Sequence, residues 1–233
     1  MEPYFRKEIT DRQAEVIAFF MTHLGSDPDH IHYIKSEEYY SDLYAIDLAI
    51  YEPTKYFDYY VAHTVGLSDY RFDTNFKRSE LLMILPNTWK PIFDKEEYYW
   101  PLQLLLDVAY GVVENKMGTM IGQVYLPRHD GKTYSQYTDA FGGILTLAED
   151  LPIELYDAEI EGTYTRFLQV VPVSLDDVSK IEEIGPSKFI EFNLHDSEGP
   201  QMVVKLKEKP LAGIDRIIKQ NEDSLKGRKN KKI

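Results

Sequence analysis

The stretch SELLMILPNTWKPIFDKEEYYWPLQLLLDVAYGVV (79–113) places an apolar strand before an amphipathic helix, and this pairing decides the fold class. Residues 78–85 are apolar enough to form a buried strand. Pro101 suits the first turn of a helix, where a proline has no intrahelical hydrogen bond to lose. A broad apolar stripe follows at helical spacing: Leu102, Leu105, Leu106, Ala109 and Val113. We predict a helix that begins at Pro101, ends near Gly118 and packs on a sheet.

Two more extended segments precede this stretch, and the three together predict an antiparallel meander. Over 44–50, apolar residues alternate with smaller or polar ones, a pattern typical of a strand with one wetter face. Residues 59–67 predict the second strand, and the turn-rich SDYRFDTNF (68–76) connects it to 78–85. Before the meander, Thr10 and Gln13 have the spacing of a capping box. The helix they start has the apolar residues Ala14, Ile17, Met21 and Leu24 and ends at Gly25.

The second half of the chain alternates further strands and helices. Extended segments are predicted at 122–126, 143–147, 166–173 and 203–206, and helices at 174–181, 186–195 and 214–220. No linker or repeat divides the chain, so one domain is expected over 1–225, with a basic, disordered tail over 226–233. The predicted fold class is α/β (α+β), with a mixed, largely antiparallel sheet flanked by helices.

The charge balance is strongly acidic. The 233 residues hold 26 basic and 39 acidic side chains, for a formal charge of -13, and no cysteine. Five of the basic residues lie after Leu225, which leaves 21 basic against 39 acidic residues, or -18, for the rest. Such a field repels phosphate backbones and attracts basic surfaces, so direct nucleic-acid binding is disfavoured. Neither a secretory signal nor a membrane-spanning run is apparent, and we expect a cytoplasmic protein.

Catalytic motifs are weak throughout. His30 and His32 lie in the polar segment DPDHIH, where an ordinary loop is the more economical interpretation than a metal site. His63 lies in an apolar strand, as a structural histidine would. The glycine spacings of a hydrolase nucleophile elbow and of a phosphate-binding loop do not occur. We therefore expect no cofactor, no metal and no enzymatic activity, with a metal-dependent hydrolase built on these three histidines as the remote alternative.

Six segments in order give a family resemblance. They are HTVGLSDY (63–70), SELLMILPNTWK (79–90), YWPLQLLLDVAYGVV (99–113), FGGILTL (141–147), TRFLQVVPVSLDDV (165–178) and FIEFNLHD (189–196). Over about 40–210, the chain resembles the Suppressor of fused family. The resemblance implies a mixed sheet flanked by helices and no known enzymatic activity. Animal members are cytoplasmic regulators that clamp a transcription-factor peptide between two domains, where the peptide adds a strand. This chain is similar to the first of those domains.

The resemblance also implies roles for particular residues. Tyr110 aligns with a tyrosine that contacts the peptide in animal members, whereas Gly122 stands where they have an acidic contact. The motif residues expected to be mainly structural are Thr64, Gly66, Ser68, Glu80, Pro86, Trp100 and Pro101. Of these, we expect Glu80 to face solvent. The candidate partner-binding residues are exposed aromatics with acids around them: Tyr98, Tyr99, Tyr110, Glu96, Glu97 and Asp69.

Two protein-binding functions are consistent with the sequence. Short stand-alone members resemble immunity proteins or antitoxins, so the first hypothesis is that this chain binds and neutralises a cognate toxin, such as a basic nuclease. The alternative is a regulatory scaffold that captures a peptide by strand addition, as the animal members do.

Overall fold

The chain folds as a helix, a meander of strands, a long central helix, and then further strands and short helices. The structure, a computed structural model, describes residues 9–25, 27, 30–32, 46–72, 78–116, 118–127, 131–196, 199–200, 204–207 and 209–229. The helices are α1 (Asp11–Leu24), α2 (Glu96–Glu114), α3 (Leu175–Ile184), α4 (Pro186–Phe189) and α5 (Ile214–Lys229). The strands are β1 (His30–His32), β2 (Asp47–Tyr51), β3 (Tyr59–Val65), β4 (Ser79–Pro86), β5 (Val124–Tyr125), β6 (Gly142–Thr146), β7 (Asp157–Ile160), β8 (Thr163–Val173), β9 (His195–Asp196) and β10 (Gly199–Pro200).

Eight of these strands form one mixed sheet, in the order β1-β2-β3-β4-β8-β6-β5. β7 pairs with the first half of β8, along the same edge of β8 that β6 occupies further on. Only the β4–β8 pairing is parallel; the other pairings in this sheet are antiparallel. The mixed, largely antiparallel sheet flanked by helices is thus confirmed, as is the antiparallel meander β2-β3-β4.

Helices cover both faces of the meander. α2 packs on one face, against residues such as Leu48 and Met83, and α1 packs on the other, against residues such as Tyr51 and Leu82. The predicted wetter face of the first meander strand is therefore wrong: all five residues of β2 are buried, because α1 covers the face that the alternation assigned to water. Residues 44 and 45 of that prediction lie outside the described part of the chain.

The N-terminal helix has the predicted ends. The Thr10 hydroxyl accepts from the Gln13 N–H, the Gln13 side chain accepts from the Thr10 N–H, and Gly25 closes the helix in the left-handed conformation. The apolar stripe is displaced from the predicted one, since Ala14 is exposed and Met21 only half-buried. The buried apolar residues are Val16, Ile17, Phe20 and Leu24.

Pro101 does not begin the central helix. α2 starts five residues earlier, at Glu96, and its first turn carries the two acids that the positive end of a helix favours. Pro101 therefore lies in the second turn, where it leaves the carbonyl of Glu97 without its helical N–H partner. Since Glu97 is half-exposed, water can satisfy that carbonyl.

The later elements follow the predictions less closely. A hairpin of β7 and β8 was missed; it turns at Glu161 and Gly162, both with positive φ. Residues 204–207 form no strand, although the Val204 N–H bonds the carbonyl of Ile84. The capping box of α3 is present at Ser174, and the predicted helix over 186–195 is α4 followed by a π-helical turn (Ile190–Leu194).

The last helix is longer than predicted. α5 continues to Lys229 and so includes the first four residues of the expected disordered tail. Residues 230–233 lie outside the described part of the chain.

Candidate functional site

Glu80, on β4, is fully buried and holds the chain that follows β3. One carboxylate oxygen, Oε1, accepts from the backbone N–H of Gly66 at 3.1 Å and of Ser68 at 3.0 Å. The other, Oε2, accepts from the Leu67 N–H at 3.2 Å and from the Thr64 hydroxyl at 2.5 Å. Three successive backbone donors and one hydroxyl thus converge on a single carboxylate.

Gly66 makes this convergence possible. Its φ of 112° lies in the left-handed region, which lets the chain leave β3 and enter the 3₁₀ turn Leu67–Asp69. Successive N–H groups in such a turn form a concave nest that binds an anion. Here the anion is the side chain of Glu80, which is 0 % exposed. The expectation that Glu80 faces solvent is therefore wrong, because the N–H groups of this turn supply the hydrogen bonds that water would otherwise supply.

Burial and hydrogen bonding act against each other at this carboxylate. The pKa of Glu80 is raised from 4.5 to about 7, because desolvation raises it by more than the hydrogen bonds from Thr64 and from the backbone N–H groups lower it. Every oxygen of the group is engaged with the chain itself. Through these hydrogen bonds Glu80 holds the turn after β3, and the motif residues Thr64, Gly66 and Ser68 share that structural role.

The same turn is fixed from outside by α1 and by the start of β4. The Arg78 guanidinium donates to the carbonyl of Ser68, and the Gln13 side chain donates to the Asp69 carboxylate at 2.8 Å. Asp69, a predicted partner-binding residue, is exposed but already bonded within the chain.

His63 is a core residue. It is 0 % exposed, its ring stacks on that of Phe20 at 3.9 Å between centroids, and its Nδ1 donates to the carbonyl of Thr64 at 2.7 Å. Burial lowers its pKa to about 4, so the ring is neutral at pH 7. Among the described residues, no three His, Asp or Glu side chains could together hold a metal ion; the side chains of His30 and His32 are outside that set.

Four of the predicted partner-binding residues lie together in the first turn of α2. We call Glu96, Glu97, Tyr98 and Tyr99 the α2 tyrosine surface. Glu96 is exposed and the other three are half-buried. The surface is held in place from both sides, because Trp89 Nε1 donates to the Tyr98 carbonyl at 2.7 Å and the Gln136 N–H donates to Glu96 at 3.0 Å.

Tyr110 does not join this surface. Its side chain is 3 % exposed and packs in the core between α2 and the sheet, so the expected role as an exposed contact does not fit this structure. Trp100 and Pro101 are buried too, and Pro86 is half-buried at the end of β4. Gly122 lies in the turn before β5 with a φ of 83°, a conformation that an acidic residue there would adopt only with strain.

The sequence matches the model of a protein family over most of its length. The model for Suppressor of fused protein (SUFU) matches residues 42–207, which include the Glu80 turn and the α2 tyrosine surface. The chain belongs to the Suppressor of fused family. No curated protein matches the sequence.

Solved structures of family members share the fold at low sequence identity. A SUFU homolog from Neisseria gonorrhoeae is 14 % identical, with a TM-score of 0.54, over 78 % of this chain and 90 % of that chain. A chain of the Sufu-Fu complex is also 14 % identical, with a TM-score of 0.59, over 91 % of this chain and 96 % of that one. These likenesses show the fold. Within the described residues, no helix is long and apolar enough to cross a membrane.

Proposed function

We propose that this Suppressor of fused domain is a non-catalytic protein that binds a basic protein partner, and that it serves as an immunity protein which neutralises a toxin. The observation that carries the proposal is the α2 tyrosine surface, where two acids and two half-exposed tyrosines share one helical turn. Tyrosines supply contact area at low entropic cost, and acids around them select a basic partner.

The charge of the whole chain supports the same partner chemistry. A formal charge of -13 accelerates encounter with a positively charged protein and disfavours nucleic acid. A nuclease toxin carries a basic cleft for its substrate, so an acidic inhibitor can occupy that cleft by the same electrostatic attraction.

Immunity proteins of this kind are encoded beside the toxins they neutralise, so the test uses the purified chain and the product of the neighbouring gene. Binding and inhibition of nuclease activity are measured at about 20 mM and about 300 mM salt, since screening weakens association between exposed charges. We expect inhibition at stoichiometric amounts and an association rate that falls at the higher salt. No binding at either salt would contradict the immunity role.

Variants locate the interface. Glu97→Lys reverses a charge in the α2 tyrosine surface, and Glu183→Lys reverses an exposed charge on α3 as the matched control. We expect the first to slow association roughly ten-fold and the second to leave it nearly unchanged. Equal effects would remove the α2 tyrosine surface from the interface.

Capture of a peptide by strand addition is the second candidate function. It needs a sheet edge whose backbone groups can pair, and β7 is a short strand that pairs on one side only among the described residues.

A further inference from the structure

The hairpin of β7 and β8 presents the outer side of β7 as a sheet edge. Ala158 pairs with Thr165, and Ile160 pairs with Thr163. Two residues before Ala158, the Phe167 N–H donates to the carbonyl of Tyr156, which marks that pair as a hydrogen-bonded one. Hydrogen-bonded and non-hydrogen-bonded pairs alternate along an antiparallel ladder. Asp157 and Glu159 are therefore the non-hydrogen-bonded positions, and their backbone N–H and C=O groups point away from β8.

The side chains at this edge separate into two faces. Ile160 is buried with α1, whereas Asp157 and Glu159 are exposed on the other face. Tyr164, opposite Glu159, is 49 % exposed, and its hydroxyl donates to Asp157. Ile153, just before β7, is 72 % exposed. Within the described part of the chain, no strand pairs with the outer side of β7, so the edge combines outward backbone groups with exposed apolar and aromatic surface.

The segment that forms the edge is rich in acidic residues. Residues 149–164 include six acidic side chains and no lysine or arginine: Glu149, Asp150, Glu154, Asp157, Glu159 and Glu161. Arg12 offsets part of this charge, because its Nε lies 3.4 Å from Glu161, and Arg166 faces Asp157 across the ladder. Arg78 also interacts with Glu161, so six acids stand against three arginines among the described residues, and the balance at the edge remains negative.

We propose that the β7 edge is a docking surface for an extended, lysine- or arginine-rich segment of a partner protein, which pairs with β7 as an added strand. The outward groups of Asp157 and Glu159 supply the backbone hydrogen bonds. The acids pair with the basic side chains, and Tyr164 and Ile153 contact their aliphatic stems. A second copy of this chain is disfavoured as the occupant, since its own β7 would bring acids against acids.

This surface is separate from the α2 tyrosine surface, and the inference rests on the proposed function only in that both expect a basic partner. The probe is a fluorescein-labelled seven-residue peptide that alternates lysine and valine. Its control is the same peptide methylated at every backbone amide nitrogen, which keeps the charge and removes the donors. Fluorescence anisotropy measures affinity, and hydrogen exchange by NMR follows the amides of Asp157 and Glu159.

Three substitutions at one position separate charge from backbone pairing. Glu159→Gln removes the charge. Glu159→Pro removes the charge and also the outward N–H, a change that an edge strand tolerates. Glu159→Lys reverses the charge, with Glu183→Lys as the matched control on α3. Thermal melts of each variant establish that the fold is retained.

We expect the unmethylated peptide to bind and to slow exchange at Asp157 and Glu159, while the methylated peptide binds at least ten-fold more weakly. Glu159→Pro should weaken binding roughly two- to ten-fold beyond Glu159→Gln, which is the range for one hydrogen bond. Glu159→Lys should weaken it roughly three-fold or more, and Glu183→Lys little.

Equal binding of the two peptides, or equal affinities of the Pro and Gln variants, would overturn the inference. If the neighbouring gene's product still binds in that case, the proposed function stands without this surface. If backbone-dependent peptide binding at β7 is found but the neighbouring gene's product does not bind, the docking surface stands and the immunity role fails.

Discussion

Replacement of Glu80 by glutamine tests whether desolvation outweighs the hydrogen bonds around this carboxyl group. Glutamine keeps the shape but offers one acceptor oxygen instead of two, and its NH₂ group then faces donors. If the amide oxygen takes the Oε1 position, the N–H groups of Gly66 and Ser68 keep their acceptor and that of Leu67 loses it. A buried, unpaired N–H costs about 1–3 kcal/mol.

The pH dependence gives the sharper test. The pKa of Glu80 is 4.5 ordinarily and about 7 in the folded chain, so the folded state holds this proton more tightly. The stability that Glu80 contributes is then fully present below pH 4.5 and is lost as the pH rises through about 7. The loss amounts to about 3 kcal/mol across that window. Glutamine does not titrate and lacks this loss.

The stability of the wild-type chain relative to the Glu80→Gln variant should therefore fall by about 3 kcal/mol between pH 4.5 and pH 8, because only the wild-type side chain titrates. Urea unfolding of both chains at a series of pH values measures the difference directly, and titration of groups common to both cancels. Glu183→Gln, at an exposed position, is the control and should show no such trend. An advantage that grows with pH would refute the reasoning, because it would mean that the N–H nest lowers the pKa of Glu80.

Two further substitutions test the packing. Tyr110→Ala should cost about 3–5 kcal/mol in urea unfolding, because the ring is 3 % exposed in the core; a variant of unchanged stability would contradict that burial. Gly142→Ala places a Cβ 2.3 Å from the carbonyl oxygen of Tyr125 and should lower the melting temperature, since β5 must shift. Gly111→Ala is its control, because the new Cβ lies 3.7 Å from the nearest side chain. The higher helix propensity of alanine should stabilise this variant by about 0.5–1 kcal/mol and raise its melting temperature.

Signals that come from neighbours in the chain were predictable. The capping box at Thr10, the helix start at Ser174 and the helix end at Gly25 depend on residues within a few positions of each other, and the structure has all three. The apolar runs of the meander predicted strands for the same reason. By contrast, the start of the central helix was predicted wrongly from Pro101, because a proline is tolerated at several positions near a helix start. The acids Glu96 and Glu97 mark the true start of the helix.

The candidate site was predictable only in part. The sequence placed Glu96, Glu97, Tyr98 and Tyr99 together because they are consecutive, but it predicted them before the helix and not in its first turn. It did not separate them from Tyr110, since the face of α2 that is buried depends on where the sheet lies. The β7 edge gave no strong signal either: its strand is four residues long, and its acids read as a solvated loop.

The sequence by itself determined the family, the order of most elements and the acidic charge, because these follow from local pattern and composition. Only the tertiary structure decided that Glu80 is buried against three backbone N–H groups, that Tyr110 is core, and that β7 pairs on one side only among the described residues. Each of these depends on contacts between residues distant in the chain, such as Gln13 with Asp69 or α1 with the sheet. A carboxylate in an apolar strand reads as solvent-facing until the fold brings a nest of donors to it.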